Sequence, residues 1–181
     1  AVGKTEVPPY KNKSLSIEKR VDDLMGRMTL REKVLQLQNR GAGRLDEIDR
    51  IFNGESYGCT HEMGTTAAEC AAMYKELQQY MLTKTRLGIP IITSAEGIQG
   101  ILQNNCTLFP HALAQGSTFN PALIQRMTEA AGEEAKVIGI HQILSPVLDI
   151  ARELRWGRVE ETFGEDPYLI SEMGIAFING Y

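Results

Sequence analysis

The residues with most chemistry to offer lie between 146 and 169, in PVLDIARELRWGRVEETFGEDPYL. There Arg152, Arg155 and Arg158 are interleaved with Glu153, Glu160, Glu161 and Glu165 around Trp156, the only tryptophan of the chain. One reading is an ion-pair cluster that pins a loop, since charged loops are more often structural than functional. The other is ligand recognition, because arginine is a planar fork of N–H donors that stays charged and suits paired oxygens such as vicinal sugar hydroxyls. Spacing alone favours the first. A second candidate is SAEGIQG over 94–100, where two glycines near Glu96, Gly97 and Gly100, let backbone or ligand approach closely. Its carboxylate can accept from two hydroxyls, and in isolation a solvated loop glutamate is at least as good a reading.

Composition narrows the partners. The net charge of −4, with acidic and basic residues interspersed and no basic tract, argues against nucleic acid. No run approaches the ~18 apolar residues of a membrane span. His61, His111 and His141 are scattered and read as ordinary, partly buried histidines; Cys59, Cys70 and Cys106 are odd in number and lack C-x-x-C spacing. No metal, zinc site, disulfide framework or cofactor is expected.

The elements that must position these residues follow from capping and periodicity. Residues 1–13, with Pro8 and Pro9, read as a flexible lead-in. A helix is predicted from about Ser16, burying a stripe of Ile17, Val21, Leu24 and Met28. Thr29 and Glu32 form a capping-box pattern ahead of Leu30, Val34 and Leu37, with Gly41 and Gly43 closing that helix. Residues 44–64 carry turn markers and room for one short strand. Thr66 and Glu69 open a helix of about five turns with Cys70, Met73, Leu77 and Met81 inward. A strand over 89–92 ends just before Glu96. Asn120-Pro121 starts a helix that Gly139 ends, and the apolar run 143–150 contains the next strand, predicted over 143–149. Asp166-Pro167 starts another helix. Strand, crossover helix and strand imply parallel pairing. The expected class is α/β, a partial (β/α)8 TIM-like barrel, with Glu96 and the arginine loop at the carboxyl ends of strands, where such barrels work.

RWGRVEETFGEDPYL after a PVLD strand resembles the N-terminal catalytic domain of the family three glycoside hydrolases, in the β-glucosidase and β-xylosidase branch. MTLREKVLQL and LFPHALAQGSTFNPALIQRM resemble the same domain, so the likeness covers about residues 14–181. It implies an exo-acting retaining β-glycosidase whose sugar ligands include Arg158 and Glu96, with Arg152 as second choice among the arginines. Asp149, as a buried partner for an arginine or for loop amides, Arg155, Trp156 and Asp166 are expected to support the loop. Two positions depart from the family pattern: Gln99 replaces its histidine, and Glu153-Leu154 stands where Asp-Pro is common.

A complete barrel takes ~250 residues, and roughly three or four strands are visible here. The chain therefore reads as the first part of a domain, with 14–181 its N-terminal portion. No catalytic residue is assigned: retaining glycosidases use two carboxylates ~5 Å apart, and the family's nucleophile and acid/base come from later segments. The expected partners are a carbohydrate, plus the remaining barrel and a following domain, or self-association through exposed edges. A periplasmic or secreted location is favoured over a cytoplasmic one. A noncatalytic sugar-binding or assembly module, or an inactive fragment, is the alternative.

Overall fold

The structure, a computed structural model, describes residues 7–61 and 66–181. Three short parallel strands, β1 (Cys59–Thr60), β2 (Ile92–Ala95) and β3 (Gln142–Ile143), lie in that order. Cys59 pairs with Ile92, and Ser94 with Gln142. A single parallel bridge between Asn39 and Cys59 extends the sheet on the β1 side. The helices are α1 (Ile17–Arg27), α2 (Leu30–Leu35), α3 (Ile48–Phe52), α4 (Ala67–Lys84), α5 (Ala112–Gly116), α6 (Pro121–Ile138) and α7 (Pro167–Gly180). Thus α4 carries the chain from β1 to β2, and α5 with α6 carries it from β2 to β3.

Local chemistry starts these helices. Ser16, Thr29, Thr66, Asn120 and Asp166 each accept a backbone N–H of the first helical turn, leaving fewer amides unpaired. Both capping boxes form: Glu32 reaches back to Thr29 N at 2.8 Å, and Glu69 to Thr66 N at 3.1 Å. Glu32 also takes the Arg86 guanidinium, tying α2 to the turn that feeds β2.

One apolar cluster joins the sheet to α3, α4 and α6 through Phe52, Tyr74, Leu77, Met81, Ile91, Ala95 and Ile138. A second joins α5, α6 and α7 through Ala112, Ile124, Phe163, Met173 and Phe177. Fully burying a side chain such as Leu77 contributes ~2 kcal/mol. Gly58 is more than a turn marker: a Cβ there would run into the Gln36 carbonyl, so glycine allows β1 to lie against the end of α2.

Several expectations need correction. The 89–92 strand begins only at Ile92, whose N–H donates to Gly58 O at 2.9 Å; Pro90 has no N–H to offer a ladder. The 143–149 strand is reduced to Gln142–Ile143. Beyond it Pro146 again lacks a donor, and the chain turns to its own loop instead, Val147 bridging Thr162 and Ala151 N donating to Gly164 O. Leu144, Leu148 and Ile150 of that expected buried run are exposed. The α1 stripe is not buried either, Ile17 being 70% and Val21 49% exposed, because α1 packs mainly on the turn Pro9–Lys11. Leu30, Val34 and Leu37 are exposed as well. That turn lies inside the expected flexible lead-in, yet Tyr10 is held by Asp23 and by Leu87 O, so the stretch is tied down from there. Residues 1–6 of the lead-in and the end of the turn-rich stretch 44–64, from 62 on, lie outside the described residues.

Candidate functional site

Polar groups gather where the parallel strands end. Asn39 stands at the bridge beside β1, His61 one residue beyond β1, and Glu96 one residue beyond β2. His61 Nε2 lies 3.4 Å from Glu96 Oε1, and both side chains are somewhat under half exposed, at 43% and 44%. The other ring nitrogen, Nδ1, has Asn39 Nδ2 at 2.8 Å and Ser94 Oγ at 3.1 Å. Ser94 is buried and its hydroxyl also reaches Thr60 O at 2.9 Å.

The loop carrying Glu96 is fixed from three sides. Gly97 takes φ +68°, and a Cβ there would press into Ile143 Cγ2 at 2.6 Å, so the turn under β3 requires glycine. Tyr181 donates its hydroxyl to Gly97 O at 2.8 Å, and Phe109 N donates to Gln99 O at 2.9 Å. Gln99 Oε1 is buried with no hydrogen-bond partner among the described residues.

Arg158 opens a short 3-10 turn, Val159–Glu161, and grips Glu161. Its Nε lies 3.0 Å from both carboxylate oxygens, and Nη2 also bonds Oε2. This bond, with the charge of Glu161 behind it, raises the Arg158 pKa, and the charges of Glu96 and Asp149 raise it further. The same bond lowers the Glu161 pKa, helped by the field of Arg158 and, less, of His111. Glu96 is therefore close enough to act electrostatically on Arg158, although they stand on different loops. The Nη1 group stays unbonded among the described residues, a planar edge of donors beside a carboxylate.

Other expected site residues lie differently. Arg155 is 90% exposed and among the described residues bonds only Glu153, two positions before it, whose carboxyl is held down at about 2 by that hydrogen bond first and by the Arg155 backbone N–H second. Trp156 is half-buried, its N–H closing a turn onto Glu153 O at 3.1 Å. Arg152 is exposed and makes no ion pair among the described residues. Asp149, expected as a buried partner for an arginine or for loop amides, is exposed and accepts no hydrogen bond among the described residues; with the strand ending at Ile143 it sits on an open stretch, and it acts on Arg158 through its field alone. Asp166 accepts from Leu169 N at 2.7 Å and caps α7. Glu160 and Glu165 are exposed.

His61 reads in the sequence as an ordinary, partly buried histidine, and Asn39 and Ser94 are not singled out there as site residues. The one available signal was positional: His61 follows a strand directly, as Glu96 does, but that strand is two residues long and has no apolar alternation to mark it. Among the described residues no group of three or more His, Cys, Asp or Glu is arranged to hold a metal ion, and no helix is long and apolar enough to cross a membrane.

Parallel strands joined through helices, with their polar side chains collected at the strands' carboxyl ends, define an α/β domain and part of a (β/α) barrel of the enzyme-bearing kind. The chain belongs to glycosyl hydrolase family 3: residues 29–181 match the model of the family's N-terminal domain. It is 35% identical to a putative β-xylosidase of Formosa agariphila, over 97% of this chain and 25% of that protein. It is 29% identical to a periplasmic β-glucosidase/β-xylosidase of Dickeya chrysanthemi, over 95% of this chain and 30% of that one. Among solved structures, a mutant β-glucosidase of Listeria innocua in complex with laminaribiose superposes with a TM-score of 0.76 at 31% identity, covering 92% of this chain and 24% of that one. The chain thus spans less than a third of the length of the curated relatives it matches.

Proposed function

We propose that the protein is the N-terminal part of the catalytic barrel of an exo-acting retaining β-glycosidase, of β-glucosidase type, that removes terminal non-reducing β-linked sugars. The domain portion runs over 14–181. Glu96 and Arg158 hold hydroxyls of the terminal sugar, one as acceptor and the other as donor, and Arg152 is a further ligand. Arg155, Trp156 and Asp166 support the arginine loop, and Asp149 adds its charge near Arg158. The carboxylates that attack the anomeric carbon and protonate the leaving oxygen belong to the remainder of the barrel and a following domain. That remainder also covers Leu144, Leu148 and Ile150, whose exposure is costly otherwise. No cofactor takes part. The periplasmic name of the Dickeya relative supports a location outside the cytoplasm.

The observation that carries this reading is the family match over residues 29–181, which includes both Glu96, one residue beyond β2, and the loop of Arg158. A carboxylate accepts from sugar hydroxyls and a guanidinium donates to them, so a polyol is a ligand that suits both. The test is kinetic, in the complete protein with an aryl β-glucoside. Glu96→Ala and Arg158→Ala are each expected to lower kcat/KM at least about tenfold. Unchanged kinetics in both variants would remove the reading.

A second reading, a sugar-binding module without catalysis, is favoured by Gln99, whose side-chain oxygen is buried without a partner among the described residues where the family has histidine. Calorimetric binding of a monosaccharide by a complete protein that hydrolyses no aryl β-glycoside would select it.

A further inference from the structure

We infer that His61 is a positioning residue for the sugar site: held from behind by Asn39 and Ser94, it presents an N–H to Glu96 and fixes the carboxylate before a ligand arrives. The inference rests on the proposed role of Glu96.

The argument begins with the proton. A neutral imidazole carries hydrogen on one nitrogen, and the partners of the other decide which. Nε2 faces a carboxylate oxygen at 3.4 Å, where a lone pair would be repelled and an N–H attracted. Nδ1 faces the side-chain amide nitrogen of Asn39 at 2.8 Å, a donor that needs an acceptor opposite it. Both sides therefore select the same tautomer, with hydrogen on Nε2 and a lone pair on Nδ1. Ser94 limits the ring's position and does not choose its tautomer: its one hydroxyl hydrogen goes to Thr60 O at 2.9 Å, and its oxygen lies against Nδ1 at 3.1 Å on a buried residue of β2.

The consequence falls on Glu96. An exposed glutamate samples many rotamers, and ordering one on binding costs affinity. Here Oε1 is engaged by His61 while Oε2 has no partner among the described residues, so one oxygen is fixed and the other stays available to a sugar hydroxyl. The contributing residues come from β1, β2 and the bridge at Asn39 beside β1, the rigid part of the fold, and precision at a site is gained by mounting it on such elements. None of the three participants lies within thirty residues of Glu96 except Ser94, so only folding assembles the group.

The test is a double-mutant cycle in the complete enzyme, with one spectroscopic measurement that needs no substrate. His61→Phe is expected to lower kcat/KM about tenfold, whereas His61→Gln, whose amide can donate from nearly the same place, stays within about threefold of the parent. In a Glu96→Ala background His61→Phe should change nothing further. Independent effects of the two substitutions, or a glutamine variant as impaired as the phenylalanine one while equally folded, would overturn the inference. Long-range 1H–15N correlation of the His61 ring should show hydrogen on Nε2, and hydrogen on Nδ1 overturns it too. If instead Glu96→Ala itself leaves kinetics intact, the sugar-site reading fails, and the positioning role fails with it; a strong Glu96 effect beside a silent His61→Phe defeats the positioning role alone.

Discussion

Glu161 holds Arg158 through both carboxylate oxygens, with Nε equidistant from them at 3.0 Å. The glutamate side chain is 22% exposed and the arginine 55%, so the anchored end of the pair is the carboxylate and the guanidinium reaches outward from it. Glu161→Gln keeps the shape and removes the charge that fixes the fork. The expected result is a fall in kcat/KM of about fivefold, smaller than that of Arg158→Ala, with little change in thermal midpoint because a surface-accessible pair contributes little to folding. Steady-state kinetics beside a melting curve separate the two effects.

Two carboxylates are held at about 2, Glu32 by Arg86 and Glu153 by Arg155, yet they should differ in their effect on stability. The Glu32 side chain is 26% exposed and joins segments fifty-four residues apart; Glu153 is 58% exposed and bonds a residue two positions away. A local exposed pair survives partly in the unfolded chain and is screened in the folded one. For Glu32 the sign follows from linkage. Its folded pKa lies below the ordinary 4.5, so the unfolded state binds more protons between 4.5 and about 2. The contribution is complete above 4.5 and fades as pH falls toward 2. Glu32→Gln should therefore flatten the loss of stability across that window in urea titrations at stepped pH, and Glu153→Gln should leave it nearly as steep.

Leu77 has no exposed surface and sits in the cluster joining α4 to the sheet. Leu77→Ala should cost ~2–5 kcal/mol, the spread reflecting how far Met81, Tyr74 and Ile138 can close the space. Chemical denaturation monitored by circular dichroism measures it.

What could be read from sequence was what local chemistry decides. Ser16, Thr29, Thr66, Asn120 and Asp166 start helices through bonds to amides three residues on, so their signals are contained in short stretches. Strand limits were not so contained. Ile89 and Ile91 look as strand-like as Thr93 and Ser94, but the ladder begins where Gly58 offers a carbonyl, a choice made by a residue thirty-four positions away. The site divides similarly. Glu96 was visible from the glycines that follow it and Arg158 from the wording of its loop, whereas His61 gains its setting only from Asn39, Ser94 and Glu96, brought together by parallel pairing.

Glycines give the sharpest test of that long-range packing. Gly58 and Gly41 both precede or follow short elements, and neither has a positive φ that would penalise a side chain. They differ in surroundings. A Cβ on Gly41 meets nothing within 4 Å, whereas one on Gly58 collides with the Gln36 carbonyl, a backbone atom that cannot swing aside. Gly41→Ala should then be neutral or slightly stabilising, by about 0.5 kcal/mol, since alanine restricts the unfolded chain. Gly58→Ala should cost ~2 kcal/mol or more, because β1 must move away from the end of α2. That movement would also carry Cys59 and Thr60, and with them His61, away from Glu96. Gly58→Ala is accordingly expected to weaken sugar binding as well as folding, while Gly41→Ala changes neither; equal melting midpoints for the two variants would show that the close approach of β1 to Gln36 is not what glycine secures.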